Sequence, residues 1–409
     1  MRLPLPADTF PTLKLSLEET HTLEFAAEVI VKRTSEQYSA HLTLDNGVVD
    51  KRRWKEIKRC EDVRLYVERK PSAENASYSF RSSSATTECA DVKSMATILT
   101  FGSIVGNLDD VMYGVLSPTT EEMQLKSTYT DDGFVDWKVL ASIIKPSVDD
   151  PFRELSLKWI VWGHQKPVSA VVRTRDVVFI HSAGVAMTPN GERIGYRLYH
   201  SVDVPGAREL DEFKIIRAHF SSCELFRQRS PNCIEVYARA LMNPMGDVPA
   251  TVTSVTLSEV PIRVFKHAQY AEMKKLTWML RAHRQLQSKR GSSIESSTSS
   301  SDSSSSSSDS LCEVCSQSLT SGSLLPFVSS NEKHCQVCLA TVCSRCRINK
   351  TIYMPTEIYK HLKSENMTFC TRCVLGALTA SSYKLAVLDV IESVGEVVDY
   401  RDALRGCNE

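Results

Sequence analysis

The sequence lacks a charge excess of either sign, long apolar runs and the short motifs of common enzyme classes. Its 49 basic and 49 acidic side chains cancel, and without a basic excess we do not expect binding to nucleic acid. No apolar run approaches the roughly 20 residues of a transmembrane helix, and no secretory leader opens the chain. There is no P-loop, dinucleotide fingerprint or local Ser-His-Asp set. We therefore expect a non-catalytic, cytoplasmic protein.

Cysteine carries the most specific pattern in the chain. Eight of the 13 cysteines form four Cys-x-x-Cys pairs, and each pair can place two thiolates on one tetrahedral ion. We expect two zinc ions rather than disulfides, because disulfides are rare in a reducing compartment. With four cysteines per ion, no coordination position stays open for water, so both sites are expected to be structural. The pairs are Cys312 and Cys315, Cys335 and Cys338, Cys343 and Cys346, and Cys370 and Cys373.

The segment HCQVCLATVCSRC, residues 334–346, resembles the core of the FYVE zinc finger. In that family a Cys-x-x-Cys pair is likewise followed after four residues by another. The resemblance implies a small cross-braced finger with two zinc ions as cofactors. One ion would be held by Cys312, Cys315, Cys343 and Cys346, and the other by Cys335, Cys338, Cys370 and Cys373.

The basic run that binds phosphoinositide in the FYVE family is largely replaced here by residues 331–336. Phosphate recognition depends on charge-assisted donors, and few remain at these positions. The candidate head-group contacts on the finger are Lys333, His334, Arg345 and Arg347. Two uses of the finger stay open, which are docking at a membrane surface and contact with a partner protein.

Residue patterns upstream of the finger predict an α+β domain. Ser16 to Glu19 forms a capping box at the start of a helix. Near-alternating apolar residues predict two strands in 53–69 and a third in 96–106. Helices starting near Leu108 and Thr119 follow, and β-rich segments then occupy residues 135–248. A long helix over 261–290 is predicted to end the domain.

This order of elements resembles the START lipid-transfer fold, a helix-grip in which an incomplete antiparallel barrel wraps a long C-terminal helix. The segment from Val172 to Phe179, with its Arg175-Asp176 pair, looks like a strand of that family. The resemblance implies an apolar cavity between the barrel and the helix. The candidate cavity residues are Trp137, Trp159, Phe179, Tyr196, Trp278, Met279 and Arg175.

The predicted organisation has five parts. They are an extended lead-in over 1–15, a START-like domain over 16–290, a serine-rich disordered linker over 291–310, a finger over 311–380 and an amphipathic segment over 381–409. The long helix is also rich in Lys and Arg between Arg263 and Arg290, so contact with an anionic membrane is a further hypothesis.

The expected function is binding of a lipid or other apolar small molecule, coupled to docking by the finger on a membrane surface or a protein partner. Such a protein would be cytoplasmic or peripheral on endomembranes. One alternative is a protein-interaction adaptor whose barrel is filled by its own side chains, and another is an enzyme on the same fold. A cavity of several hundred Å³ favours the ligand carrier, and a packed interior favours the adaptor.

Overall fold

The computed structural model describes residues 3–6, 8–69, 97–163, 173–188, 190–246, 264–291, 311–319, 334–356 and 361–401. Contacts divide the chain into two compact units, residues 1–270 and 271–409. Nearly all of the predicted linker at 291–310 and Lys333 lie outside the described residues.

Helix α1, Leu17–Thr43, opens the first unit. The Ser16 hydroxyl accepts from the Glu19 amide and the Glu19 carboxylate accepts from the Ser16 amide, which is the capping box that the sequence predicts. Thr34, Tyr38 and His41 continue the buried face of the helix. The Tyr38 hydroxyl donates to the carboxylate of Glu235, so the C-terminal half of the helix is fixed to the sheet.

Ten strands form one sheet in the first unit. Their spatial order is β1-β2-β3-β10-β9-β7-β6-β5-β4, with the two-residue β8 parallel to β6 and every other pairing antiparallel. Within the described residues β1 and β4 are the edges, so the sheet is open. The strands are β1 Trp54–Cys60, β2 Val63–Glu68, β3 Thr97–Val105, β4 Phe134–Ile144, β5 Glu154–Trp162, β6 Arg175–Met187, β7 Arg193–Ser201, β8 Ile216–Arg217, β9 His219–Ser230 and β10 Cys233–Asn243.

Helices α2, Leu108–Val115, and α3, Thr120–Thr130, follow β3 along the chain. The Thr119 hydroxyl caps α3 by accepting from the Glu122 amide. Helix α2 packs closely on β7 at Gly195, where a Cβ atom would lie only 2.5 Å from the Met112 sulfur. The missing side chain at Gly195 therefore permits this packing.

The two faces of the sheet bury separate apolar groups. Successive side chains of a strand point to opposite faces, and β5 is buried along its whole length. The first face packs on α1 and includes Leu23, Ala27, Tyr38, Leu155, Leu157, Trp159, Val161, Val178 and Ile180. The second face includes Met123, Ile160, Trp162, Val177, Phe179, Ala218, Phe220, Ala240 and Met242.

Helix α4, Phe265–Gly291, begins in the first unit and continues into the second. In the first unit Lys266 Nζ donates to the carbonyl of Thr130 at 2.5 Å. The ring centroids of His267 and Phe226 lie 6.4 Å apart. The start of this long helix therefore packs on α3 and β9.

The second unit contains residues 271–291 of α4 and the cysteine-rich region. Strands β11, Arg347–Pro355, and β12, Leu362–Cys370, pair antiparallel, and helices α5, Thr371–Thr379, and α6, Ser382–Ser393, follow. Lys350 Nζ lies 3.1 Å from Glu272 Oε1 on α4. The Trp278 and Tyr400 ring centroids are 5.9 Å apart. The end of α4 is thus part of the packing of this unit.

No single described helix is long and apolar enough to cross a membrane. Helices α5 and α6 together are long and apolar enough to cross a membrane, but the chain bends by 87° at the break between them. The amphipathic segment predicted near the C-terminus corresponds to α6, in which Leu385 is buried.

The predicted α+β class, with an antiparallel sheet and a long helix after it, is confirmed. A tight turn joins β6 to β7, with the Gly191 amide donating to the Thr188 carbonyl at 2.9 Å. Gly191 has φ 76°, a conformation that glycine adopts without steric cost. Ile216 and Arg217 pair with β6 as the separate short strand β8, before β9 pairs with β10.

Candidate functional site

A cavity lies on the second face of the sheet, beside α3 and the start of α4. The cavity has a volume of ≈ 590 Å³ when the part that is open to solvent is included. The enclosed part has room for a few water molecules rather than for a whole lipid. The lining residues are Lys126, Thr130, Asp132, Phe134, Ile160, Trp162, Val177, Phe179, Arg197, Tyr199, Phe220 and His267.

The strands beneath the cavity change from apolar to polar along their length. On β5, Ile160 is followed on the same face by Lys158 and Ser156, because alternate residues share a face. On the antiparallel neighbour β6, Val177 pairs with Ile160 and His181 pairs with Ser156. Apolar residues therefore meet at one end of this face and polar residues meet at the other.

The polar end contains a buried ion pair on β5. Lys158 Nζ lies 2.6 Å from Glu154 Oε1 and 2.7 Å from His181 Nδ1, and it donates to the Ser117 carbonyl at 2.7 Å. The second oxygen of Glu154 accepts from the Ser117 amide at 3.0 Å. His181 Nδ1 also lies 3.2 Å from Glu154 Oε1, so this ring nitrogen contacts both members of the ion pair.

Burial sets the protonation of this network. Burial, together with the charge of Lys158, lowers the pKa of His181 to about 3. Burial alone would raise the pKa of Glu154, but Lys158 and His181 hold that pKa well below its usual value. Burial also lowers the pKa of Lys158, against the attraction of Glu154. The network therefore combines one carboxylate, one ammonium and one neutral imidazole at neutral pH.

A second buried ion pair joins Arg197 on β7 to Glu224, its cross-strand partner on β9. The Arg197 guanidinium lies 4.8 Å from the centroid of the Tyr199 ring, within the range of a cation–π contact. Burial raises the pKa of Tyr199 to about 12. Tyr199 is therefore a neutral side chain in the cavity wall.

Lys126 on α3 and His267 on α4 complete the polar end. Lys126 Nζ donates to the carbonyl of Val115, the last residue of α2. Burial lowers the pKa of Lys126 well below its usual value, and the charges of Arg197 and Lys158 lower it further. Burial likewise lowers the pKa of His267 well below its usual value. The cavity thus has several nitrogen donors at its polar end.

Three buried groups at this end have atoms without a hydrogen-bond partner among the described residues. These atoms are both ring nitrogens of His267, Nε2 of His181 and Oε2 of Glu224. His267 Nε2 and Glu224 Oε2 are 3.9 Å apart, which is too far for a hydrogen bond. Buried polar atoms normally have partners, so these atoms mark a place where a polar group or water fits.

Asp132 is the acidic side chain in the lining, and it is only partly buried. Its Oδ1 accepts from Ser127 Oγ at 2.5 Å and from the Phe134 amide at 3.1 Å. Its Oδ2 accepts from Thr130 Oγ1 at 3.3 Å. These uncharged donors, and not a lysine or arginine, hold the Asp132 carboxylate.

Among the predicted cavity residues, Phe179 lies in the lining. Trp159 faces the opposite side of the sheet, where its Nε1 donates to Asp176 at 2.8 Å. Arg175 donates to the carbonyls of Pro244 and Met245, both at 3.2 Å. Arg175 therefore holds the loop after β10 and does not reach the cavity.

The other predicted cavity residues also lie outside the lining. The Tyr196 hydroxyl accepts from Arg153 Nη1 at 2.9 Å and packs against the first-face group. Trp137 is half-buried against the second-face group. Trp278 and Met279 belong to the second unit. The predicted aromatic residues of the strands thus lie on both faces of the sheet, and only one face borders the cavity.

The buried charged residues of the site are not among those that the sequence predicts. A signal for part of it exists in β5, where Glu154, Ser156 and Lys158 occupy every second position between leucines. Polar residues on one face of an otherwise apolar strand indicate a buried polar site. For Lys126 and His267 the local sequence contains no such signal, because each lies on a helix with many other charged residues.

The second candidate site is formed by eight cysteines of the second unit. In each group the four sulfurs lie within 4.8 Å of one another. The groups are Cys312, Cys315, Cys343 and Cys346, and Cys335, Cys338, Cys370 and Cys373. These are the two sets that the FYVE resemblance implies.

Sulfur distances test whether the groups suit a metal. The sulfurs of Cys315 and Cys343 are 3.7 Å apart, and those of Cys338 and Cys370 are 3.8 Å apart. A disulfide requires about 2.05 Å, whereas tetrahedral zinc with Zn–S bonds of about 2.3 Å requires sulfur–sulfur edges of about 3.8 Å. The cysteine groups are therefore spaced as ligands of one metal ion each.

Two of the pairs have the same backbone turn. The Ser316 amide donates to the Cys312 carbonyl at 2.7 Å, and the Leu339 amide donates to the Cys335 carbonyl at 2.8 Å. Ser316 and Leu339 both have left-handed φ values, 58° and 61°. The interaction between the Cys335 and Cys373 sulfurs lowers the pKa of Cys335 to about 4 and raises the pKa of Cys373.

The candidate head-group residues of the finger are partly described. Arg345 and His334 are exposed, and His334 Nδ1 lies 3.3 Å from Thr341 Oγ1. Arg347 begins β11, and Lys333 lies outside the described residues. The described part of the chain therefore shows two exposed side chains of this set.

The basic surface predicted on the long helix is interrupted by internal contacts. Lys275 is buried, with its Nζ 3.3 Å from the Leu378 carbonyl. Arg281 Nη2 lies 2.7 Å from Glu392 Oε2 and 3.3 Å from Asp389 Oδ1. These residues hold α4 to the helices α5 and α6 within the second unit, which leaves fewer charges for an anionic membrane.

No family model matches the chain, and no curated protein matches it by sequence. Among solved structures it is similar to human StAR-related lipid transfer protein 5, with 14% identity and a TM-score of 0.40, over 61% of this chain and 97% of that one. Human STARD10 matches with 13% identity and a TM-score of 0.37, over 58% of this chain and 77% of that one. At this level the similarities bear on neither ligand nor activity.

Proposed function

We propose that the first unit binds a lipid-like amphiphile in the cavity of its second sheet face. The observation that carries this proposal is the lining, which passes from Ile160, Val177 and Phe220 to the buried charges of Lys126 and Arg197. Ligand sites are typically apolar pockets with a few polar groups that fix the orientation of the ligand. An apolar chain fits the first part of this lining and a polar head fits the second.

The ligand must widen the cavity, because the enclosed space holds only a few water molecules. Phe134 and Trp162 line the cavity where the edge strand β4 meets β5, with ring centroids 5.7 Å apart. The pairing of β4 with β5 contains three register irregularities, and an edge strand is paired on one side only. We therefore assign the opening movement to β4.

One observation favours a second function. The small enclosed space is what a protein-interaction adaptor would show if its sheet were filled by its own side chains. In that case the charged end would serve the fold and no ligand would enter. Cavity occupancy separates the two functions.

Native mass spectrometry of the full chain tests the binding proposal. The protein, purified from a eukaryotic host, is expected to carry a lipid-sized adduct. Replacing the cavity residue Val177 with Trp should remove the adduct, because the larger side chain fills the apolar part of the lining. The same change at exposed Val105, Val105→Trp, is the matched control and should retain it. Absence of an adduct from wild type, with no binding of added lipids, would favour the adaptor.

We also propose that each cysteine group holds one structural zinc ion, in a FYVE-type finger that docks on a partner protein. Sulfur spacing supports the metal, and four thiolates per ion leave no open position for catalysis. Exposed Leu339, Leu375 and Leu378 support protein contact. If vesicles containing phosphatidylinositol 3-phosphate sediment the protein and Arg345→Glu prevents this, membrane docking replaces protein contact.

A further inference from the structure

Not every charged side chain at the polar end of the cavity, here called the cavity end, is part of an ion pair. Lys158 is paired with Glu154, and Arg197 is paired with Glu224. Among the described residues Lys126 forms no ion pair, and its Nζ donates a hydrogen bond to the uncharged carbonyl of Val115. Asp132, the remaining acid of the lining, is held by hydroxyl and amide donors. Among the described residues of the cavity end, one lysine, Lys126, and one partly buried carboxylate, Asp132, therefore form no ion pair.

His267 strengthens the case for a missing acceptor. Its side chain is 2% exposed and lines the cavity, and neither ring nitrogen has a hydrogen-bond partner among the described residues. A neutral imidazole carries one N–H donor, whichever tautomer is present. Lys126 and His267 thus supply two donors at the same end of one cavity. Both lie on helices that face the sheet, α3 and α4.

Ordered water would satisfy the hydrogen bonds of these donors, but it would not favour the charged form of Lys126, which burial disfavours. The groups that face Lys126 include Arg197 and Lys158, which repel its ammonium, and Glu154 and Asp132, which attract it. A bound anion would hold the ammonium in its charged form, since an opposite charge favours ionisation. A neutral or cationic head would not.

We propose that the cavity selects an amphiphile with a single apolar chain and an anionic head, and that Lys126 and His267 donate to that head. This inference rests on the proposed binding function. Carboxylate and phosphate heads share the required chemistry, as both are anions with several acceptor oxygens. The apolar chain lies along Ile160, Val177, Phe179 and Phe220. Arg197, paired with Glu224, adds positive potential at the same end.

Three ligands with one 12-carbon chain test the head group on the full, delipidated protein at pH 8. Laurate, dodecyl phosphate and dodecanol are titrated separately and followed by native mass spectrometry and calorimetry. We expect at least one of the two anions to bind about ten-fold more tightly than dodecanol. Which anion binds better identifies the head as carboxylate or phosphate. Equal binding of all three ligands would overturn the anionic head and leave the binding function in place.

Lys126→Met removes the charge and keeps a linear side chain of comparable length. We expect it to weaken binding of the preferred anion about ten-fold and to change dodecanol binding less than two-fold. Exposed Lys145→Met is the matched control and should leave both unchanged. Binding of the anion is then measured by calorimetry in two buffers of different ionisation enthalpy. A difference between the two binding enthalpies reports proton uptake by the protein, which we expect in wild type and not in Lys126→Met. Anion preference that persists in this variant would overturn the role of Lys126.

A different result would contradict the proposed binding function itself. If none of the three ligands binds wild type or the Lys145→Met control, the cavity is not a binding site and the head-group inference falls with it. Dodecanol binding also reports folding of Lys126→Met, because its apolar contacts do not involve that side chain. A variant that binds dodecanol like wild type is folded, so its response to anions is interpretable.

Discussion

The cavity end and the cysteine groups are both buried polar sites, but they are satisfied in different ways. Each cysteine group draws its ligands from two Cys-x-x-Cys pairs, within a segment of about sixty residues whose spacing is typical of zinc sites. The cavity end is assembled from α3, α4, β5, β6, β7 and β9, and its charges are balanced mostly by other side chains. A metal site has one strong central partner, whereas the cavity end depends on several weaker ones.

Of the changes that test this comparison, removal of metal should have the largest effect on folding. Chelation, or the variant Cys335→Ser, is expected to abolish protection against hydrogen exchange over residues 334–356 and 361–401, because metal binding to such sites contributes about 10–16 kcal/mol to folding. Cys223→Ser, at a buried cysteine far from both groups in sequence, is the control and should leave this protection intact. Protection that survives a chelator would mean that the unit folds without metal.

Breaking the buried ion pair should come next. In Glu154→Gln the Lys158 ammonium loses its counter-charge in a site that is almost fully buried. We expect the free energy of unfolding to fall by about 3–5 kcal/mol, measured by urea unfolding with tryptophan fluorescence. Four of the five tryptophans, Trp54, Trp137, Trp159 and Trp162, report on the first unit.

Glu212→Gln is the matched control for that variant. Glu212 pairs with Arg208 four residues earlier, and both side chains are largely exposed. Exposed ion pairs contribute little to stability, so we expect no measurable change. Equal effects of the two substitutions would show that burial does not distinguish the pairs.

Acidification should have the smallest of the three effects. Burial lowers the pKa of His181 to about 3 and the pKa of His200 to about 4, below the unfolded value of 6.5. Between these values the unfolded chain binds protons that the folded chain does not, so stability falls as pH falls. Each histidine contributes about 1.4 kcal/mol per pH unit below 6.5.

Urea unfolding at pH 7.0 and pH 5.5 measures this dependence. We expect His181→Asn to reduce the loss of stability between the two pH values, since one of the buried histidines no longer titrates. His21→Asn, at an exposed histidine of α1, should leave the loss unchanged. An identical loss in wild type and His181→Asn would show that His181 titrates alike in the folded and unfolded chains.

Local patterns predicted most of the elements. The capping box at Ser16, the helix start near Thr119 and the alternating strands all correspond to observed features. They do so because caps, turns and strand alternation depend on residues close together in sequence. The identity of the cavity residues was not predictable in this way, since Trp159 and Lys158 are neighbours on one strand and face opposite sides.

The long helix shows the same limit. Its sequence predicts one amphipathic helix with a basic surface, and a helix is present over Phe265–Gly291. Its start contributes His267 to the cavity, whereas Lys275 and Arg281 hold α5 and α6 in the second unit. Helical periodicity fixes which residues share a face, but it contains no information about which partner each turn meets.

The sequence by itself determined the α+β class, the order of elements and the arrangement of eight cysteines in four Cys-x-x-Cys pairs. Each of these depends on short-range spacing, where backbone geometry allows few alternatives. Only the tertiary structure decided which charges meet at the cavity end. Lys126, Glu154, Arg197, Glu224 and His267 come together because strands and helices distant in the chain pack on one sheet face, and burial then sets their protonation.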